Sequence, residues 1–560
     1  MMSRIIAKGE QDFLTLRQDN LFYIDKTKFI KEWWTGRDRV TLITRPRRFG
    51  KTLMLDTVRT FFSPEFAGRS DLFEDLEIWK VDEFRKLQGK IPVIFLSFAR
   101  FNNNTYAGII SRIKSSLASI YSSFSHLIDL NAIPNAERNI FTSVDDSMTD
   151  ERAQDSIHYL CKFLTIQHKI KPIVLLDEYD TPLQEAWLNG YWDELASFMR
   201  GFFNATFKDN PWIERGLITG ITRVSKESIF SDLNNLKVVT TTTNRYTDCF
   251  GFTEQEVFAA MDEYGLTEKP EVKKWYDGFT FGHQKEIYNP WSIICYLSDK
   301  TFAPYWADTS CNALVGELVA LSGEDVKDQM FDLLKGESII TKLDEQIVFS
   351  QLYEQKDAIW NFLMAAGYVK PLSFDYSTEE YKITLTNYEV HLILNKLISR
   401  WFNKSNVQGD KFRQALLSDN IKYMNKFLST IAKNTFSYFD TGKHPSGKKE
   451  PERFYHGFVL GLLVDKAKDY VVKSNRESGY GRYDVVMEPK DVKNIAVIME
   501  FKVFDKEDEE ETLEDTAKNA LKQNEDKHYD ADLLAKGISA ERIYKYGFAF
   551  EGENCLIKKA

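Results

Sequence analysis

Cysteine is scarce in this 560-residue chain: Cys161, Cys249, Cys295, Cys311 and Cys555 lie far apart, with no C-x-x-C pair. That spacing suggests neither a zinc site nor a disulfide framework, and it fits a reducing compartment. Long apolar runs are missing as well. The longest, around Phe458 to Val464, falls far short of the roughly 18–20 residues that span a bilayer. The opening MMSRIIAKGEQDF lacks the apolar centre of a signal peptide, so a cytosolic protein with no membrane partner is expected. Nor is there a basic excess. A net charge of −10 argues against a chain that coats nucleic acid non-specifically, while leaving room for a local basic groove. What the chain does have is 43% apolar and 28% charged residues, the balance of a soluble globular protein. Its length suits three or four domains, and 41 Phe with 26 Tyr point to aromatic-rich cores.

The stretch LITRPRRFGKTLM, residues 42–54, reads as a short apolar strand from Val40 to Thr44, a tight loop, and a helix opening at Gly50-Lys51-Thr52. Unpaired N–H groups and the helix dipole make such an N-terminus a phosphate site. Lys51 would reach the β- and γ-phosphates of ATP, and the Thr52 hydroxyl would join the shell of a Mg²⁺ ion. Arg48 and Phe49 complete the candidate nucleotide-binding loop. The P-loop pattern G-x-x-x-x-G-K-[ST] has Arg45 in place of its first glycine here, and Pro46 keeps the chain extended at that point. A bare G-K-[ST] arises by chance, so a second motif has to carry weight.

IVLLDE, 173–178, supplies it: an apolar run of the kind a buried parallel strand shows, ending in two carboxylates where ligands gather in such sheets. Asp177 would hold the Mg²⁺ shell and Glu178 would act as general base toward the attacking water. GLITGIT, 216–222, is a further strand, and Arg223 at its tip is the candidate γ-phosphate sensor. Strands are expected at 91–98 and 237–243 and helices at 105–125 and 150–169; Asp25 is expected to cap a helix burying Phe29, Ile30 and Trp33. Strands alternating with helices imply parallel βαβ units in a three-layer α/β sandwich.

Downstream, DAIWNFLMAAGYVKPL and YKITLTNYEVHLILNKLISRWF read helix–strand–strand–helix, a winged-helix-like pattern. TGKHPSGKKEPE, 441–452, is boundary or exposed loop. Beyond it Asp484 lies on one expected strand and Glu500 and Lys502 on the next, NIAVIMEFKVF. Alternation puts Glu500 and Lys502 on one face, interrupting an apolar strand where bare charge is costly. Two carboxylates and a lysine suit metal-assisted phosphodiester hydrolysis: Asp484 and Glu500 would bind Mg²⁺, with Glu452 a candidate further ligand, and Lys502 would position the nucleophile or offset charge at phosphorus.

FYIDKTKFIKEW, LITRPRRFGKTLML, IVLLDEYDTPLQEAW, GLITGITRVSKESIFSDLNNL, CFGFTEQEV and WYDGFTFG with IYNPWSI, in order over most of residues 10–300, resemble the bacterial AAA-ATPase-like family. Its members commonly carry a C-terminal PD-(D/E)xK nuclease domain, which the ERFYHG, ESGYGRYD, MEFK and ALKQ blocks resemble. The resemblance implies a P-loop NTPase domain over 1–285 and a restriction-endonuclease-like α/β domain over 441–560, and the helical and winged-helix-like pattern occupies 286–440 between them. The resemblance also implies ATP binding by Lys51, Thr52, Asp177 and Glu178, and it makes Gln523, on the helix AKNALKQNEDKHY, a supporting residue of the second site. The expectation is an ATP-dependent or ATP-regulated, Mg²⁺-dependent nuclease acting on nucleic acid, DNA foremost, with homo-oligomerisation left open. The alternatives are a signal-transducing ATPase switch whose nuclease-like domain binds nucleic acid or protein without cutting, and a DNA motor without cleavage.

Overall fold

The computed structural model describes residues 4–223, 229–230, 232–308, 324–334, 336–343, 358–402, 406–436, 469–478, 481–504, 512–551 and 554–560, with positions 315, 318, 459 and 463 besides. They fall into two compact units, Met1–Ile393 and Leu394–Ala560, a division inside the expected 286–440 region.

The first unit is built on five parallel strands: β1 (Val40–Thr44), β2 (Val93–Ser97), β3 (Ile173–Asp177), β4 (Arg215–Gly220) and β5 (Leu236–Val239). Their order across the sheet is β2-β3-β4-β1-β5. β1, β3 and β4 are buried at every position, as strands covered on both faces must be. On one face Ile43, Leu175, Leu217 and Val239 join Leu55, Val58 and Phe62 of the helix Lys51–Phe62 in a single cluster. Leu42, Val174, Leu176 and Ile218, one residue out of phase, are fully buried on the other. The strand order separates the two motif strands by β4, so the phosphate-loop and carboxylate ends meet across an intervening strand.

Two expected boundaries moved. Asp25 does not cap the helix Lys28–Gly36; its Oδ1 accepts from Thr27 N (2.7 Å) and its Oδ2 from Glu77 N (2.7 Å), so it braces the approach while Thr27 occupies the cap position. Phe29, Ile30 and Trp33 are fully buried on that helix. β5 ends at Val239 because Thr243 Oγ1 accepts from Thr240 N (3.0 Å), turning the threonine run back on itself.

A small sheet follows, with β6 (Phe252–Thr253) and β7 (Phe279–Phe281) flanking β8 (Gln284–Tyr288). Then come β9 (Ile339–Thr341), the helix Ala358–Ala366, β10 (Val369–Asp375), β11 (Glu380–Leu385) and the helix Tyr388–Phe402. The last four give the helix–strand–strand–helix order of a winged-helix-like module, and β9 adds a third strand beside β11.

In the second unit β12 (Tyr470–Ser478), β13 (Gly481–Pro489), β14 (Ala496–Val503), β15 (Ile543–Glu551) and β16 (Asn554–Lys559) form one sheet in sequence order. β14 and β15 run parallel and the other pairs antiparallel. Val497, Met499 and Phe501 pack with Phe412, Met424 and Phe427 of the helices Asn406–Leu417 and Ile421–Phe436. Ala496 and Ile498 face the opposite way, onto Tyr529, Leu533 and Ile538.

Candidate functional site

Gly50 stands ahead of the helix Lys51–Phe62 at φ +76°, a conformation in which L side chains are strained and glycine is not. The turn points the first helical N–H groups, which have no partner within the helix, outward at its N-terminus. In front lies a cavity of about 770 Å³, a volume typical of small-molecule sites, lined by Arg47 through Met54. Glu178, Thr181, Gln184 and Glu185 and the apolar Ile24, Phe252, Trp291 and Ile294 also line it. Lys51 is 5% exposed, and its Nζ donates to the carbonyls of Arg45 (3.0 Å) and Pro46 (2.9 Å). Burial lowers its pKa, opposed by the charges of Glu178 and Asp177.

Asp177 ends β3 and is fully buried, at a register that sets it beside Thr219 of β4. Thr219 Oγ1 donates to its Oδ1 (2.7 Å) and Thr52 Oγ1 to its Oδ2 (2.8 Å). Burial raises the carboxyl's pKa and the two hydroxyls pull it back. Glu178 follows in the left-handed region, φ +51°, where a non-glycine residue is strained, and its Oε2 accepts from Thr181 Oγ1 (3.2 Å). Lys51, Thr52, Asp177 and Glu178 therefore converge: a hydroxyl–carboxylate pair and a second carboxylate beside a lysine and a helix N-terminus. This oxygen set suits a Mg²⁺ ion and the nest suits its phosphates.

Arg48 and Phe49 both line the cavity and are each held by aromatic contacts, whereas Arg223 lies elsewhere. Phe49 is 1% exposed and packs edge-on against Phe279 and Phe281 (centroids 4.8 and 5.4 Å), so its ring anchors the loop to the small sheet. Arg48 lies over the Trp291 ring at 4.5 Å. Arg223 is not brought to the cavity. β4 ends at Gly220, and Arg223 lines a separate small hollow with Thr44 and Thr240–Thr242.

In the second unit Glu500 is 3% exposed on β14, and Gln523 Nε2 donates to its Oε1; Gln523 also reaches Tyr529 OH (3.3 Å). The helix Leu513–Asp526, which carries Gln523, comes close because Glu500 pairs with Gly547 of β15. A Cβ on residue 547 would sit 2.5 Å from the Ala517 carbonyl oxygen. Lys502, two residues on, is half-buried on the same face. The β13–β14 register pairs Val485 with Met499, so continuing it one step sets position 484 opposite position 500. Only the backbone of Asp484 is described, and Glu452 lies outside the described residues.

Residues 7–230 match the family model described as a predicted AAA-ATPase, and residues 450–560 match the PD-(D/E)XK nuclease superfamily. The chain joins an AAA-ATPase-like segment to a PD-(D/E)XK nuclease-superfamily segment. An uncharacterised protein encoded in the vnfD 5′ region of Azotobacter chroococcum mcd 1 is 23% identical over 99% of this chain and 98% of its own length. Among solved structures, the ORC2 protein of Aeropyrum pernix in its ADPNP–ADP complexes aligns with 67% of this chain and 93% of its own. It does so at 12% identity and a TM-score of 0.24. No helix among the described residues is long and apolar enough to cross a membrane.

The first unit also relies on three buried charged residues to which the sequence assigned no site role. Arg45 is fully buried and turns away from the cavity, donating to the carbonyls of Thr44 (2.9 Å) and Thr240 (2.7 Å) and lying over Phe281 at 4.5 Å. It ties the loop to the end of β5, which accounts for an arginine where the P-loop pattern has glycine. Asp180 is 1% exposed; its Oδ2 accepts from Ile221 N (3.0 Å), Thr222 N (2.9 Å), Thr222 Oγ1 (2.8 Å) and Gln184 Nε2 (3.1 Å). It locks the turn after β3 to the end of β4. The available signal was a third carboxylate in LLDEYD, within three residues of Asp177. Glu389 is likewise buried: it accepts from Ser292 Oγ (2.8 Å) and Trp306 N (2.8 Å), and Trp306 Nε1 donates in turn to Arg47 O (3.3 Å).

Proposed function

We propose that this protein binds and hydrolyses ATP at the first site and cuts nucleic acid in a metal-dependent reaction at the second, the nucleotide state governing the cutting. One observation carries the nucleotide half: Thr52 and Asp177 meet at 2.8 Å beside a cavity of about 770 Å³ that opens on Gly50 and Lys51. Thr52 and Asp177 would hold Mg²⁺, which neutralises phosphate charge when bound. Lys51 and the first-turn N–H groups bind and orient the phosphates. Glu178, held in its strained turn beside Thr181, accepts the proton of the attacking water.

For the nuclease half, Asp484 and Glu500 would hold the divalent ion, whose chemistry is to lower the pKa of bound water. Gln523 fixes the Glu500 carboxylate through the hydrogen bond to its Oε1. Lys502 holds positive charge on the same sheet face, where it stabilises the anionic phosphorus centre. The support is the interruption of an apolar strand by a buried glutamate with a dedicated amide donor. An unpaired carboxylate there would cost several kcal/mol, on the order of the penalty for any buried ion.

The test is a matrix of full-length protein with plasmid, single-stranded DNA and RNA, with and without ATP and Mg²⁺, scored for phosphate release and strand cutting. Lys51→Ala should lose nucleotide binding. Asp484→Ala and Lys502→Ala should abolish cutting while melting as the parent does. Phosphate release without cutting on any substrate would instead favour the signalling switch, with a second domain that binds and does not cleave. Undiminished cutting in both C-terminal variants would overturn the nuclease half.

A further inference from the structure

The cavity in front of Gly50 is lined by four cations, and three of them are already engaged. Lys26 donates to both carboxylate oxygens of Glu256 (2.7 Å each) and to Asp248 O (2.8 Å). Lys51 is seated on two loop carbonyls, and Arg48 lies over Trp291. The fourth, Arg47, differs. Its Nε is buried without a hydrogen-bond partner, and its guanidinium forms no ion pair with any described residue. A guanidinium has five donors in a fixed fork, so leaving it unpaired in a half-buried wall is unfavourable unless something anionic arrives.

Its backbone, by contrast, is fixed. The Arg47 carbonyl accepts from Asn289 Nδ2 (3.3 Å) and Trp306 Nε1 (3.3 Å), side chains that are 0% and 2% exposed. Those anchors come from a part of the chain more than two hundred residues away. The side chain is thus carried on a pinned loop, and its charge is felt by both Lys51 and Glu185, two other residues of the cavity wall. Lys51 and Arg47 repel each other when the cavity holds no anion. A polyphosphate relieves that repulsion and supplies oxygens for the fork.

We infer that Arg47 grips the terminal phosphate of a nucleoside triphosphate from within its own chain, and so sets the preference for triphosphate over diphosphate. The inference rests on the ATP reading above and narrows it. The helix N-terminus serves phosphates common to both nucleotides and Lys51 reaches the β- and γ-phosphates together, whereas the unpaired fork is a donor set left over for the additional one alone. A bidentate guanidinium–phosphate contact also resists the loss of charge balance as the γ-phosphoryl group separates.

The experiment is titration calorimetry on the full-length chain, with Mg²⁺, using ADP and a non-hydrolysable ATP analogue as the two probes. Arg47→Met keeps the apolar stem and removes the fork; it should weaken the triphosphate analogue about tenfold or more, as the loss of a charged hydrogen-bonding group does. ADP affinity should stay within about twofold, an expectation that follows from the absence of a γ-phosphate for the fork to hold. Arg47→Lys, which restores charge without the fork, should recover part of the loss. Lys51→Ala should lose both ligands. Equal weakening of both ligands in Arg47→Met, or no weakening of either, would overturn the inference. Parent protein that binds neither probe would instead remove the ATP reading itself, before any variant is compared.

Discussion

Glu389 offers the sharpest quantitative test of the first unit's interior. Its carboxylate is 1% exposed and held by Ser292 Oγ and the Trp306 amide, both at 2.8 Å. Burial pushes its pKa from 4.5 to about 7, the two donors only partly opposing it. The folded protein therefore keeps a proton on Glu389 up to about pH 7, while the unfolded chain gives it up near 4.5. Between those values the folded state binds more protons, so stability is full below about 4.5 and is lost as pH rises toward 7. A displacement of that size is worth about 3 kcal/mol, since each unit is about 1.4 kcal/mol. Tyr276 and Cys295, which share these surroundings, are themselves raised by burial and stay neutral over the window.

Glu389→Gln keeps the shape and an acceptor for the Trp306 amide but cannot ionise. Its melting temperature should lie at or below that of the parent at pH 5 and above it at pH 8. For a unit ending at Ile393, an unfolding entropy of about 2.1 cal/mol/K per residue turns about 3 kcal/mol into a gain of about 3–4 °C. The assay is differential scanning calorimetry of both proteins across that range, following the difference between them. A difference that stays constant from pH 5 to pH 8 would refute the reasoning.

Asp180→Ala should cost about 3 kcal/mol or more, because it strands the buried Ile221 and Thr222 amides, whereas Asp180→Asn should cost about 1 kcal/mol; urea unfolding of the two variants distinguishes them. Thr219→Val removes the 2.7 Å donor to Asp177 at nearly constant volume and should weaken Mg²⁺–nucleotide binding about tenfold, read by calorimetry. Gly547→Ala places a methyl 2.5 Å from the Ala517 carbonyl and should destabilise the second unit by about 1–3 kcal/mol. An unchanged urea midpoint for that unit would count against the close approach of helix and sheet described above.

The sequence exposed whatever is written as a local pattern. The continuous apolar runs at Val40–Thr44 and Ile173–Asp177 marked buried parallel strands because strands covered on both faces need no polar alternation. Gly50, Lys51 and Thr52 were legible because a tight strand-to-helix turn needs glycine at its left-handed position. Contacts made across the sheet were not legible. Nothing near Arg45 or Asp180 in sequence says that one reaches the end of β5 and the other the end of β4, since those partners are fixed by strand order. Arg223 was misplaced for the same reason: its distance from the cavity depends on where β4 stops, and Gly220 ends that strand before the arginine. Asp25 was read as a cap from residue type alone, yet its partners include Glu77, far along the chain.

β4 is a spacer as well as a strand. Two strand spacings of about 4.8 Å each put the ends of β1 and β3 roughly a nanometre apart, with the end of β4 between them. A methyl on Gly220 would meet the Tyr179 ring at 2.6 Å and Asp180 Oδ1 at 2.8 Å, so the close seating of the turn after β3 on the end of β4 depends on an absent side chain. One added carbon there would press on the turn that carries Glu178 while leaving the residues of both motifs unchanged.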